Sequence, residues 1–422
     1  CPRVVKVDNF DYCRIPVKVC NMSAKPMVIK PRSPLCQISE VKVIDNLASD
    51  LPQTEKEASC LSPLEEMGIK IDKSHLTEAQ VLRAQQVLGK WTHVFSKGIT
   101  DLGKTNIVKH KIELTDNTPF KLPYRRVPPG MYEEVKQHLK EMLEAGAIKE
   151  SKSPYSSNVV LVRKKDNSLR FCIDHRVLNS KTKKDAYMLP RFDDTIDTLA
   201  GSRYFSKLDL RSGYWQVEIE PEDREKTAFS VGNLGFYQAE RMSFGLCNAP
   251  STFQRLMEKC MGEMHLRECL IFIDDILIFS KTFEEHLTRL EAVFGRLEQH
   301  NLKLKPSKCE FFNTSVVYLG HVVSHDGIST DPEKTAAIKN WQPPKNVKDL
   351  GQFLGFAGYY RRFVQGFSSL AQPLNALLEG HCTHKSKQKG KAKKKSKKPA
   401  EWVWGENQQE AFASIKAMLT SP

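Results

Sequence analysis

The stretch FIDDILIFS (residues 272–280) sets an acidic pair, Asp274 and Asp275, between two apolar runs, LIFI and ILIF. Each run has the length of a short buried strand. Aspartate tolerates the tight turn that would join them, so the pattern predicts a hairpin with the acids at its tip. β-forming stretches recur between 157 and 242: SSNVVLVRK, LRFCID, RYFSKLDL, WQVEIE, KTAFSV and GFYQAERM. KCEFF and VVYLGHVV come later, followed by a turn at DGI. Helical spacing is equally plain elsewhere. In PPGMYEEVKQHLKEMLEAGAIKES, Val135, Leu139, Met142 and Leu143 form one stripe, and Gly146 ends the helix. Helices are also predicted near 76–90, over 250–262 with proline in the first turn, and over 282–300. Two or three more fall within 331–378, where Leu350, Phe353, Leu354 and Phe356 make a stripe. EWVWGENQQEAFASIKAMLTSP reads as one further amphipathic helix. Strands mixed with helices, joined by hairpins and not by strict βαβ alternation, predict an α+β fold.

The two flanks differ from this core. Residues 11–45 alternate β-formers with proline and lysine, which predicts a few short strands. They contain neither DSG nor DTG, so they carry no aspartic-protease active site. Residues 46–65 are polar and read as a linker. The tract HCTHKSKQKGKAKKKSKKP (381–399) has nine lysines and no acid. Such low-complexity composition cannot bury a core and predicts a disordered linker that can also contact phosphates.

Composition changes this picture in three ways. The formal net charge is +14, but without the nine lysines of that tract it is 14 − 9 = +5. Bulk charge therefore gives modest support for a nucleic-acid partner, and local patches must carry that argument. No run approaches the ~18 apolar residues of a membrane span, and the start CPRVVKV shows no signal-peptide pattern. It also lacks Met, which fits a piece of a longer chain. The eleven cysteines include no CxxC pair. Cys172, Cys269 and Cys309 lie within apolar strands, as reduced thiols of an intracellular protein do. His381 and His384 have no second ligand pair, so zinc is not expected there.

An acidic pair at a turn becomes chemistry only with a third carboxylate. YFSKLDLRSGYWQVEIE supplies the candidate: Asp209 ends an apolar strand, beside Arg211, Ser212, Gly213, Tyr214 and Trp215. If this strand pairs with the 270–280 hairpin, three acids converge. Their repulsion needs divalent cations to offset it, and two such ions clamp an in-line phosphoryl transfer. VRKKDNSLRF adds Arg163, Lys164, Lys165 and Arg170 across an apparent hairpin, where the arginine fork suits phosphate oxygens.

With these pieces in place, the chain from about residue 93 onward resembles the reverse transcriptase of gypsy-type LTR retrotransposons. The blocks stand in the family's order: KSPYSSNVVLVRKKDNSLRFCIDHRVLN, LDLRSGYWQV, RMSFGLCNAPSTFQRLM, IFIDDILIFS, VVYLGHVVS and DPEKTAAIKNWQPPKNVKDLGQFLGFAGYYRRFV. The resemblance implies a right-hand polymerase with an antiparallel palm sheet. Residues 1–45 would follow a protease region, 46–92 form a linker and helix, and 93–190 the lead-in and fingers. Residues 191–325 would be the palm, 326–380 the thumb, 381–400 the lysine-rich linker, and 401–422 the start of a truncated ribonuclease H-like domain.

The resemblance also implies roles. Asp209, Asp274 and Asp275 would be the catalytic metal ligands, joined by the Leu210 carbonyl, for two Mg²⁺ ions with Mn²⁺ as a substitute. Lys164 and Arg170 would hold the triphosphate. Tyr214 would stack under the incoming sugar and exclude a 2′-hydroxyl. Phe244 and Gly245 would line the base-pair pocket, and Leu319 and Gly320 would set the primer terminus. Phe272 departs from the family's usual tyrosine and loses one hydroxyl, which implies altered fidelity or primer contact and not lost chemistry. Implied partners are an RNA template, a DNA template or primer, and dNTPs, without a membrane. A homo- or hetero-oligomer and a cytoplasmic setting, including virus-like particles, are compatible. Ribonuclease H activity is not expected of residues 1–422. The alternative function is a domesticated, non-catalytic nucleic-acid-binding protein.

Overall fold

The computed structural model describes residues 63–163, 167, 169–188, 190, 195, 198–379 and 402–420, all within the unit Leu61–Pro422. The expectations for residues 1–45, for the 46–62 part of the linker, for Lys164 and for the lysine-rich tract fall outside the described residues. No helix among those described is long and apolar enough to cross a membrane.

At the centre is a five-stranded sheet. Its order is Lys70–Ile71, Glu310–Asn313, Tyr204–Asp209, Asp275–Ser280, Cys269–Phe272. Side chains alternate between faces along a strand, and here both faces are covered. Tyr204, Leu208, Ile276 and Ile278 join the larger core, which includes residues of the helices Glu78–Lys90, Ala249–Met261 and Phe283–Gln299. Phe205, Leu277 and Phe279 point into a second core with Val316, Tyr318 and Val323 of a three-stranded sheet. Burial on both faces is why LIFI and ILIF read as unbroken apolar runs.

A second five-stranded sheet carries Ser157–Arg163 and Leu169–Ile173 at one edge. The helix Tyr132–Glu144 packs on it through Val135, Leu139 and Met142. Leu143, expected in that stripe, is exposed, because it lies one residue past Met142 and turns about 100° away. WQVEIE is not a strand. Its first residues finish a 3₁₀ turn, Gly213–Gln216, and the rest forms only isolated bridges, His110 to Ile219 and Glu218 to Arg241. Cys269 and Cys309 are buried, whereas Cys172 is only half-buried.

The helices Pro332–Lys339 and Val347–Tyr359, with two short ones after them, enclose a separate helical core. The helix Glu406–Thr420 completes it. Its Ala411, Phe412, Ile415 and Leu419 are buried in the same cluster as Leu350, Phe353 and Leu374. The family resemblance implied the start of another domain here. The apolar stripe of this helix packs on the preceding helices: Phe412 lies 4.6 Å from Phe353, and Lys416 Nζ donates to the Trp341 carbonyl at 2.8 Å.

Candidate active site

The acidic hairpin forms as predicted, with one refinement. Phe272 pairs with Asp275, so Ile273 and Asp274 are the two turn residues and Asp275 already belongs to a strand. Ile273 has φ 54°. A β-branched residue in the left-handed region is strained by roughly 1–2 kcal/mol, and such strain persists only where surroundings fix it. The fixing group is Gln254, fully buried on the Ala249–Met261 helix. Its Oε1 accepts the Ile273 N–H at 2.8 Å. Its Nε2 donates to Glu258 Oε1 at 2.8 Å, and Glu258 in turn accepts the Tyr187 hydroxyl.

The antiparallel register places Asp209 directly opposite Asp275. Burial pushes the Asp274 carboxyl up to about 6, with the Asp209 and Asp275 charges adding to it. Burial also raises Asp209, helped by Asp275 and opposed by Lys308, Lys305 and Lys207. Asp274 Oδ1 is buried and accepts no hydrogen bond from the described residues. Gly213 makes room for it: a Cβ there would sit 2.9 Å from Phe253 Cζ and 3.2 Å from Asp274 Oδ1. Asp275 turns to Lys207, 3.3 Å away. Among the described residues no three acidic, histidine or cysteine side chains are gathered as a ready cage for one metal ion. Three carboxylates repel unless cations offset their charge, and one of these three is paired with Lys207.

Next to the acids, Tyr214 is buried between two rings, 4.7 Å from Phe244 and 5.3 Å from Phe253. Burial pushes its hydroxyl up to about 12, and the Asp274 charge acts in the same direction. Phe244 is 53% exposed and forms the open face of this stack. Gly245 has φ 92°, a conformation that favours glycine. Asn179 holds this loop from two sides: its Nδ2 donates to the Gly245 carbonyl at 2.7 Å, and its Oδ1 accepts the Cys247 N–H at 2.9 Å. Leu210 is buried and bridges to Leu304.

Thus Asp209, Leu210, Tyr214, Phe244, Gly245, Asp274 and Asp275 occupy one neighbourhood. Arg170 is on the other five-stranded sheet, exposed on the Leu169–Ile173 strand opposite Val162. Leu319 and Gly320 form the turn of another hairpin. Gln254, Asn179 and Lys207 were not singled out from sequence. Gln254 and Asn179 act through long-range hydrogen bonds that leave no local periodic signal, although both lie inside the blocks FQRLM and HRVLN.

Residues 162–323 match the family model for reverse transcriptase (RNA-dependent DNA polymerase). The chain is 37% identical over 310 residues to the Pol polyprotein from transposon 297 of Drosophila melanogaster, covering 72% of this chain and 29% of the relative. It is 37% identical over 319 residues to that of transposon gypsy from the same organism, covering 74% and 30%. A Tf2-3 polyprotein of Schizosaccharomyces pombe is 32% identical over 317 residues, covering 75% and 22%. The chain therefore spans less than a third of each of these polyproteins. Among solved structures, the foamy viral protease-reverse transcriptase in complex with double-stranded DNA shares the fold. Its TM-score is 0.72 at 20% identity, over 85% of this chain and 59% of that one. The same viral protein in complex with an RNA/DNA hybrid gives a TM-score of 0.67 at 21% identity, over 91% and 47%. Residues 162–323 are a reverse transcriptase domain, and the relatives that the chain resembles, at 30–37% identity, are Pol polyproteins of gypsy-type LTR retrotransposons.

Proposed function

We propose that this chain extends a primer with dNTPs by copying an RNA or DNA template. The observation that carries the reading is the buried, unpartnered Oδ1 of Asp274 beside two further carboxylates. A buried carboxylate oxygen without a partner is costly, and a cation answers that cost. When bound, two Mg²⁺ ions, or Mn²⁺ in their place, supply Lewis-acid activation of the primer hydroxyl and charge neutralisation at the triphosphate. Asp209, Asp274 and Asp275, with the Leu210 carbonyl, are the groups that would hold them. Lys207 shields Asp275 until cations arrive. The Tyr214 ring, pinned between Phe244 and Phe253, fills space that a 2′-hydroxyl needs. Phe244 and Gly245 face the new base pair, and Arg170 together with Lys164 grips the triphosphate.

In this reading the sheet with Ser157–Arg163 is the fingers, the central sheet the palm and the helical unit the thumb. The setting is the cytoplasm or a virus-like particle.

Primer extension with dNTPs and NTPs on RNA and DNA templates tests the proposal, using wild-type chain and Asp274→Asn. Extension by the wild type with dNTPs, abolished in the variant while template binding persists, is the expected result. Near wild-type activity in Asp274→Asn would make the hairpin structural.

A further inference from the structure

The turn Leu319–Gly320 joins the strands Ser315–Tyr318 and His321–Ser324, with Tyr318 paired to His321 across it. Both turn residues have positive φ, 47° and 73°, as in the two-residue turns whose twist matches their strands. Glycine adopts this conformation freely and leucine does not. Two phenols hold the turn in place. The Tyr359 hydroxyl donates to the Leu319 carbonyl. The Tyr360 hydroxyl donates to the Gly320 carbonyl at 2.7 Å.

These tyrosines belong to the helical unit: Tyr359 ends the helix Val347–Tyr359 and Tyr360 is its C-cap. Tyr360 is buried in the helical core. His321, from the hairpin, fills the joint. Its ring lies 5.2 Å from Tyr359, 5.0 Å from Tyr360 and 5.6 Å from Phe363. The chain itself passes from the three-stranded sheet to the helical unit through Asp331, between Thr330 and Pro332. One covalent link leaves a hinge. Thr330 pairs with His321, so this link leaves the sheet beside the Leu319–Gly320 turn, and two directed hydrogen bonds to the turn itself remove that freedom.

We propose that Tyr359 and Tyr360 are positioning residues that lock the helical unit to the Leu319–Gly320 turn, so that the two move together. The inference rests on the polymerase reading, in which this turn sets the primer 3′ end and the helical unit is the thumb. Removing the Tyr360 hydroxyl takes away the side-chain donor to the Gly320 carbonyl, removing the Tyr359 hydroxyl leaves the Leu319 carbonyl to His321 Nδ1 at 3.1 Å, and every ring contact is kept. The turn then leaves its strained conformation for part of the time, and the primer terminus meets the carboxylates less often.

The test compares wild-type chain with Tyr359→Phe, Tyr360→Phe and the double variant on a labelled DNA primer annealed to RNA. Single-turnover extension at saturating primer–template reads the reacting step, and a titration reads its Kd. Amide hydrogen exchange over residues 315–324 reads the turn without any need for activity. The double variant is expected to exchange about tenfold faster at the turn and to extend about tenfold more slowly, with Kd within about twofold, as loss of two hydrogen bonds would give. Each single variant shows part of both effects. Unchanged exchange and rate in a folded double variant overturn the proposal. So does a loss confined to Kd, which would make the tyrosines duplex contacts. If the double variant fails to fold, the single variants decide by the same measures. If wild-type chain extends no primer, the polymerase reading falls, while the exchange experiment still judges the lock.

Discussion

The amide oxygen of Gln254 accepts the backbone N–H of Ile273 at 2.8 Å, tying a fully buried helix side chain to the turn that carries Asp274. The residue so held is β-branched with φ 54°. A helix on one face of the sheet thus stabilises a backbone conformation that the turn sequence alone disfavours.

Replacing Gln254 by leucine removes this bond and the one to Glu258 while keeping most of the volume. We expect kcat for primer extension to fall about tenfold, in line with one or two buried hydrogen bonds lost, with Kd for primer–template within about twofold. Steady-state and single-turnover kinetics check it. A folded variant with wild-type kcat would show that the turn holds itself.

Asp274→Asn should melt at a higher temperature than the metal-free wild type above pH 7. The fold raises this carboxyl to about 6, so it favours the protonated form. Its contribution is present below the unfolded pKa near 4 and is lost as pH rises through about 6. Asparagine has no charge to bury. The gain should be roughly 1–2 kcal/mol after discounting for solvent screening, and added Mg²⁺ should stabilise the wild type alone. Equal melting curves with and without Mg²⁺ for both proteins would contradict the metal-holding role.

Tyr214→Ala should admit ribonucleotides. The ring is held by Phe244 and Phe253 on its two sides and cannot yield to a 2′-hydroxyl without disturbing both. The ratio of kcat/KM for dNTP over NTP should fall by about two orders of magnitude, equivalent to about 2.7 kcal/mol of lost discrimination. An unchanged ratio would place the gate elsewhere.

Acid should destabilise the chain through buried neutral histidines. Burial lowers His286 to about 3, with Arg289 adding to it; burial also holds His110 and His175 near 4. The His286 network has a defined direction. The Ser280 hydroxyl donates to the Thr282 carbonyl and so accepts from His286 Nδ1–H. His286 Nε2 then accepts from the Ser206 hydroxyl, which in turn accepts the Phe312 N–H. Groups with depressed pKa contribute stability above the unfolded value of about 6.5 that is lost as pH falls toward the folded one. Each such histidine adds up to one proton, ~1.4 kcal/mol per pH unit, between about 6 and 4. Urea unfolding across that window should show His286→Asn with a slope lower by up to one proton. The same slope in both proteins would mean that His286 is solvated.

Phe412→Ala should destabilise the helical unit by about 3–5 kcal/mol, the range for a buried phenylalanine. The side chain is packed against Phe353 in that core. Hydrogen exchange should rise across residues 347–359 as well as 406–420. A response confined to 406–420 would show that the last helix stands alone.

Much of this was legible in the chain itself. The runs LIFI and ILIF, the acids between them and the stripe at Val135, Leu139 and Met142 are local patterns. Strand and helix periods are properties of neighbouring residues, so they survive in one dimension. The order of the blocks likewise named the family before any coordinate. Tertiary structure decided the rest. Only the antiparallel register sets Asp209 against Asp275, and only the packing of a helix against the sheet brings Gln254 to Ile273. WQVEIE looked like a strand by composition, yet it finds no continuous partner along its length, and strand formation needs one. The helix Glu406–Thr420 announced its apolar face but not what would cover it. Amphipathicity fixes which side must be buried, whereas the partner depends on contacts between residues far apart in sequence.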